Sequence, residues 1–111
     1  MRRGVLLAGI ALAACAATSA PRVQVVRSLE GRQCEGGGLT LAELQARLVA
    51  AGVKPAAAQC ASDGRMRVQM CGAADGRLAV FDIEAADRDR AAAAGFRALA
   101  ADEKVVVQPC R

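Results

Sequence analysis

Five cysteines and no histidine set the chemical repertoire of this 111-residue chain. Cys34, Cys60, Cys71 and Cys110 follow Cys15, and no two of them form a C-x-x-C pair. That spacing offers neither a thioredoxin-like exchange centre nor a zinc knuckle, and zinc without histidine would need four thiolates. An even set of four cysteines in a short exported chain reads instead as two disulfides. Without histidine there is no Ser-His or Cys-His machinery. Asp63 and Asp75 could be a pair of carboxylates for acid–base work, but each precedes a glycine. Asp-Gly is the favoured pair of a type I′ hairpin turn, which accounts for both without catalysis. Asp82, Glu84, Asp87 and Asp89 lack the D-x-[DN]-x-[DN]-G calcium loop. Acids in the first turn of a helix account for Asp87 and Asp89. Cys34-Glu35-Gly36-Gly37-Gly38 has no G-x-x-x-x-G-K-[ST] pattern and reads as a turn entering a helix. The expectation is a protein that is not an enzyme and holds no metal or cofactor.

Charge argues against nucleic acid as a partner. The formal net charge is +4, and removing Arg2 and Arg3 leaves +2. The remaining basic residues alternate with acids, as in Arg88-Asp89-Arg90. There is no Trp or Tyr, so only Phe81 and Phe96 could stack on a base or a sugar.

The first residues carry an address. Arg2 and Arg3 form a positive start, and residues 4–14 are eleven uncharged residues ending in small side chains, the layout of a secretory signal. At about 1.5 Å per residue such a run covers about half of a ~30 Å hydrocarbon core, too little for a spanning helix. Leu12-Ala13-Ala14-Cys15 resembles the lipobox of bacterial lipoproteins. The resemblance implies cleavage before Cys15, acylation of that cysteine as the new N-terminus, and attachment of the domain to a membrane. Several buried acyl chains, at about 0.8 kcal/mol per CH₂, make such an anchor nearly permanent. The resemblance also implies the outer membrane in a Gram-negative cell, because the residue after the cysteine is Ala16 and not an Asp. The competing reading is a secreted soluble protein cleaved after Ala20, with Thr18 and Ala20 as the small residues; Pro21 directly after that bond suits a protease badly.

Residues 1–14 are thus expected to be a signal, 15–22 a lipidated tether and 23–111 one small domain. Within it Val23, Val25 and Leu29 share a face at period two, predicting a strand over 23–29. Thr40 and Glu43 form a capping box, Leu39 and Leu44 a hydrophobic staple, and Leu41, Leu44, Leu48 and Ala51 an apolar stripe, so a helix runs from 41 to Gly52. Residues 53–60, with Pro55 and several alanines, read as a connector or an edge. Two Asp-Gly turns flank residues 66–70, where Met66, Val68 and Met70 alternate with Arg67 and Gln69, predicting a strand with one buried face. Residues 78–83 are apolar on nearly both faces, as a central strand would be. A helix over 86–94 ends at Gly95 with Phe96 beyond it, matching the Ala-Ala-Gly-Val end of the first helix. Residues 105–107 make the last strand.

Strand, helix, strand, strand, helix, strand predicts an α+β fold: a ferredoxin-like βαββαβ sandwich, one antiparallel sheet with two helices on one face and two disulfides. This topology pairs Cys34 with Cys71 and Cys60 with Cys110. Treating each half as self-contained pairs Cys34 with Cys60 and Cys71 with Cys110.

The expected function is a non-catalytic cell-envelope lipoprotein, a membrane-tethered interaction or scaffold module whose partner is an envelope protein. The alternative is a periplasmic ligand-binding module, for example one holding peptidoglycan. The βαββαβ order, with Ala-Gly-Val or Ala-Gly-Phe after each helix, is similar to the sporulation-related repeat domain, whose resemblance would cover residues 23–108 and implies binding to cell-wall glycan. In either case Arg65, Arg67 and Gln69, on the exposed face of the sheet, are the candidate interaction residues.

Overall fold

The computed structural model describes residues 20–110, together with Gly4 and Gly9. Cys15 and most of residues 1–22, read from the sequence as signal and tether, lie outside the described residues.

The longest apolar run becomes the middle of the sheet. Strand β3 (Arg77–Glu84) buries Leu78, Ala79, Val80, Phe81 and Ile83, so both of its faces are covered. Strand β1 (Arg22–Ser28) lies antiparallel on one side of it, with Arg22 opposite Glu84 and Ser28 opposite Leu78. Strand β2 (Ala57–Ser62) lies antiparallel on the other side. Two short edges complete the sheet: β4 (Arg97–Ala98) against β1 and β5 (Val106–Val107) against β2. The order is β4-β1-β3-β2-β5, antiparallel throughout.

The helices take shape from their ends. Helix α1 (Leu41–Ala50) opens on the Thr40–Glu43 capping box, with both reciprocal hydrogen bonds formed at 3.0 and 3.1 Å. It closes where Gly52, at φ 83°, lets Val53 N–H donate to Leu48 O and Gly52 N–H to Val49 O. A single 3₁₀ turn (Ala85–Asp87) leads into α2 (Arg88–Ala93). This helix closes in the same way, with Gly95 at φ 94°, Phe96 N–H on Ala91 O and Gly95 N–H on Ala92 O. Each ending is a Schellman motif, and each throws its next residue, Val53 or Phe96, fully into the core.

That core lies between the helices and one face of the sheet. Val25, Leu44, Leu48, Val53, Phe81, Ile83, Ala91 and Phe96 are among its buried members, with Phe81 and Phe96 meeting edge to face at 5.6 Å between centroids. Arg27 lies over the Phe96 ring. Among the described residues, no helix packs on the opposite face. It is covered by residues 99–105, which cross from β4 at one edge to β5 at the other and set Leu99 and Val105 on Val26, Ala61 and Val80. Arg97 and Glu103 pin this strap by a two-pronged ion pair, both prongs at 2.7 Å.

The α+β class, the antiparallel sheet, two helices and two disulfides stand as the sequence predicts. The strand assignments do not all stand. Residues 66–70 are not a strand, and Met66, Val68 and Met70 are exposed rather than buried. The place beside β3 goes to residues 57–62, read from the sequence as a connector or an edge beginning further upstream. Small Ala58, Cys60 and Ala61 pack on both sides of β2 without large side chains, and Pro55 stands just before it, where no ladder bond is lost. Residues 106–107 do form a strand, but as a fifth one on β2; the outer edge of β1 is paired by the two-residue β4. The Asp-Gly pairs are not type I′ turns, because Asp63 and Asp75 keep negative φ. Each carboxylate instead accepts the backbone N–H two residues on, Arg65 N–H for Asp63 and Arg77 N–H for Asp75, as an Asx turn does.

Candidate functional site

The sheet has two ends of unlike character. The chain reaches β1 at Arg22, beside Glu84 and Ala57, and Pro21 O accepts Ala85 N–H there. About 20 Å away, seven strand residues at ~3.3 Å each, lies the far end with Ser28, Leu78 and Ser62. The loops 29–40 and 63–76, the start of α1 and both disulfides cluster around that far end.

The cysteines pair as Cys34–Cys71 and Cys60–Cys110, with Cα separations of 5.0 and 5.2 Å. The first bridge ties two loops that also share backbone bonds: Gln33 N–H to Ala73 O, Gly72 N–H to Gln33 O and Asp75 N–H to Gly31 O. The second bridge fastens the end of the chain beyond β5 to β2.

Between these loops and α1 runs an open groove of about 1150 Å³. Its polar lining includes Arg32, Gln33, Gln45, Ser62, Arg77 and Gln108, and Cys34, Cys60 and Cys110 border it. Several N–H groups around the glycine loop on its rim are already engaged. Gly36 N–H is bonded to Arg32 O, Leu39 N–H to Leu29 O, and Thr40 N–H to the Glu43 carboxylate, whose charge also opposes an anion at the helix start. Among the described residues, no three acidic or cysteine side chains converge closely enough to hold a metal ion. Phe81 and Phe96 are both fully buried and present no ring to a base or a sugar.

Beyond the groove stands a ridge made of residues 65–70. It runs without turn, bend or positive φ and without a strand neighbour. Met66, Val68 and Met70 are 102, 80 and 61% exposed. Of the candidate interaction residues, Arg67 is drawn back into an ion pair with Asp63, while Arg65 and Gln69 are exposed. Burial would raise the Asp63 carboxyl, but the Arg65 N–H and the Arg67 guanidinium outweigh it and hold it below the usual carboxylate range. Arg65, Arg67 and Gln69 therefore occupy one ridge, as the sequence places them, but this ridge is not part of the sheet.

No protein-family model matches the chain, and no curated protein or solved structure matches it.

What holds the ridge is Gln33, which the sequence did not single out. Its Nε2 donates to Val68 O at 3.1 Å and to Ala74 O at 3.3 Å, and its Oε1 accepts Met70 N–H at 3.0 Å. One side-chain amide thus takes the place of a neighbouring strand along the 68–70 edge. An amide reaching across 35 positions of sequence leaves no local pattern from which to find it. No helix among the described residues is long and apolar enough to cross a membrane.

Proposed function

We propose that this chain is a lipid-anchored, non-catalytic module of the cell envelope, held at the outer membrane through acylated Cys15 and facing the periplasm, and that residues 65–70 are its contact surface. One observation carries this reading. The exposed apolar ridge stands at the end of the sheet opposite Arg22, where the tether would join, so an anchored domain would hold it away from the bilayer. Three large apolar side chains in water cost hydration free energy that a partner surface recovers. Two bridges and the Gln33 clamp keep that surface in shape before binding, which lowers the ordering cost. The topology that goes with this reading is a ferredoxin-like βαββαβ sandwich with β5 added; the succession β4-β1-β3-β2 and the placing of both helices on one face support it.

A photo-crosslinking residue at position 68 of the full chain, activated in membranes, tests the contact surface. The expected result is a reproducible protein adduct from position 68 and none from position 84 at the tether end. No adduct above an unrelated lipoprotein control would contradict it. The polar groove favours a second reading, a peptidoglycan-binding module, in which glutamines and arginines grip glycan hydroxyls without aromatic rings. Pelleting of the full chain with purified sacculi supports that reading, and retention in the supernatant counts against it.

A further inference from the structure

The ridge is self-complementary. In an extended chain, successive backbone N–H and C=O pairs point to opposite edges. Gln33 occupies the edge that carries Val68 O and Met70 N–H. The other edge carries the N–H and C=O groups of Arg67 and Gln69, which have no hydrogen-bond partner among the described residues. Gly64 and Cys71 bound the segment, which holds no proline; its charged residues are Arg65 and Arg67, and Arg67 is paired with Asp63.

Consider this edge placed antiparallel to its own copy with the two-fold axis at Val68. Arg67 of one copy then lies opposite Gln69 of the other, and the two residues exchange N–H and C=O bonds. The axis brings Val68 against Val68 as the close, non-hydrogen-bonded pair between them. Met66 of each copy faces Met70 of the other, so all three apolar side chains of one ridge meet three on the same face. No arginine lies directly opposite an arginine: Arg67 meets an amide, and Arg65 meets the bridged Cys71. Slipping the register by one residue would put apolar side chains opposite basic ones and lose this match.

We propose that the occupant of the ridge is a second copy of this chain, bound by antiparallel pairing of residues 66–70 about a two-fold axis through Val68. The proposal rests on the reading of the ridge as a contact surface and names its partner. Two copies sharing one surface patch form a closed, isologous dimer that leaves no further edge to extend. Anchoring both copies to one membrane would raise their local concentration and favour a contact of this small size.

The symmetry supplies a test that a foreign partner cannot pass. Full-length chain is extracted from membranes in mild detergent, and its mass is measured by sedimentation equilibrium. The wild type is expected to be dimeric. Val68→Asp alone and Val68→Lys alone each set like charges face to face and are expected to weaken self-association by about tenfold or more. An equal mixture of the two variants is expected to restore the dimer, because residue 68 of one copy then meets the opposite charge on the other. Position 68 is mostly exposed, so both variants should keep two disulfides by mass, which guards against misfolding. A monomeric wild type, or a mixture no better associated than either variant, overturns the proposal. If the chain is monomeric while a crosslinker at position 68 still captures another protein in membranes, the contact-surface reading survives and only the choice of partner fails. If neither occurs, both fail.

Discussion

Two stretches of this chain look equally suited to a sheet and meet opposite fates. Residues 78–83 become most of β3, covered by helices on one face and by the 99–105 strap on the other. Residues 66–70, with three apolar side chains in strict alternation, stand in water. The difference lies in what surrounds them. Strand β3 pairs with β1 over residues 78–84 and with β2 over residues 77–82, whereas the ridge has only the amide of Gln33 on one edge. Alternation states which side chains would share a face, and only neighbours decide whether that face is buried.

Phe81→Ala opens a void against Phe96 and should cost about 3–5 kcal/mol, while Val68→Ala should stay within about 0.5 kcal/mol. Urea unfolding of the two variants measures both; comparable losses would mean that the ridge belongs to the core. Replacing Cys34 and Cys71 together by serine removes a bridge that closes a long loop, for an expected loss of about 2–4 kcal/mol. Trypsin should then cut after Arg65 or Arg67 much faster than in the parent, with the sheet still folded. Equal cutting in both would show that Gln33 and the backbone bonds hold the ridge without the bridge.

The smallest effect concerns the strap that covers the second face of β3. The hydrogen bond from Arg97 holds the Glu103 carboxyl down at about 2, below its ordinary 4.5. Because the folded value is the lower one, the pair stabilises the domain fully above pH 4.5 and is lost as the pH falls through about 2. The urea midpoint should decline across that window, and Glu103→Gln should flatten the decline. An unchanged slope in the variant would remove the ion pair as its cause.

The parts of the fold legible in the sequence are those whose signals are local. The Thr40–Glu43 capping box, the two Ala-Ala-Gly endings and the apolar run of β3 each specify their geometry within a few residues. Strand β2, read from the sequence only as a connector or an edge, is assembled from alanines, Gln59, Cys60 and Ser62, which carry little intrinsic preference; its place is set by β3 and by the bridge to Cys110. Strand β4 is two residues long and exists because Arg97 and Ala98 fall beside β1. The pairing of Cys34 with Cys71 agrees with one of the two sequence alternatives, though the strand over 66–70 on which that alternative leaned is absent. The site is split in the same way. Arg65, Arg67 and Gln69 are named by the sequence, but their setting at the end of a loop, clamped by Gln33, depends on contacts between residues far apart along the chain.

Intact-mass spectrometry of protein extracted from membranes, with and without reductant, tests the proposed anchor and the two bridges at once. The expected mass is that of residues 15–111 plus acyl groups on Cys15, rising by about four hydrogens on reduction of two bridges. A chain without acyl mass and with four free thiols would contradict it.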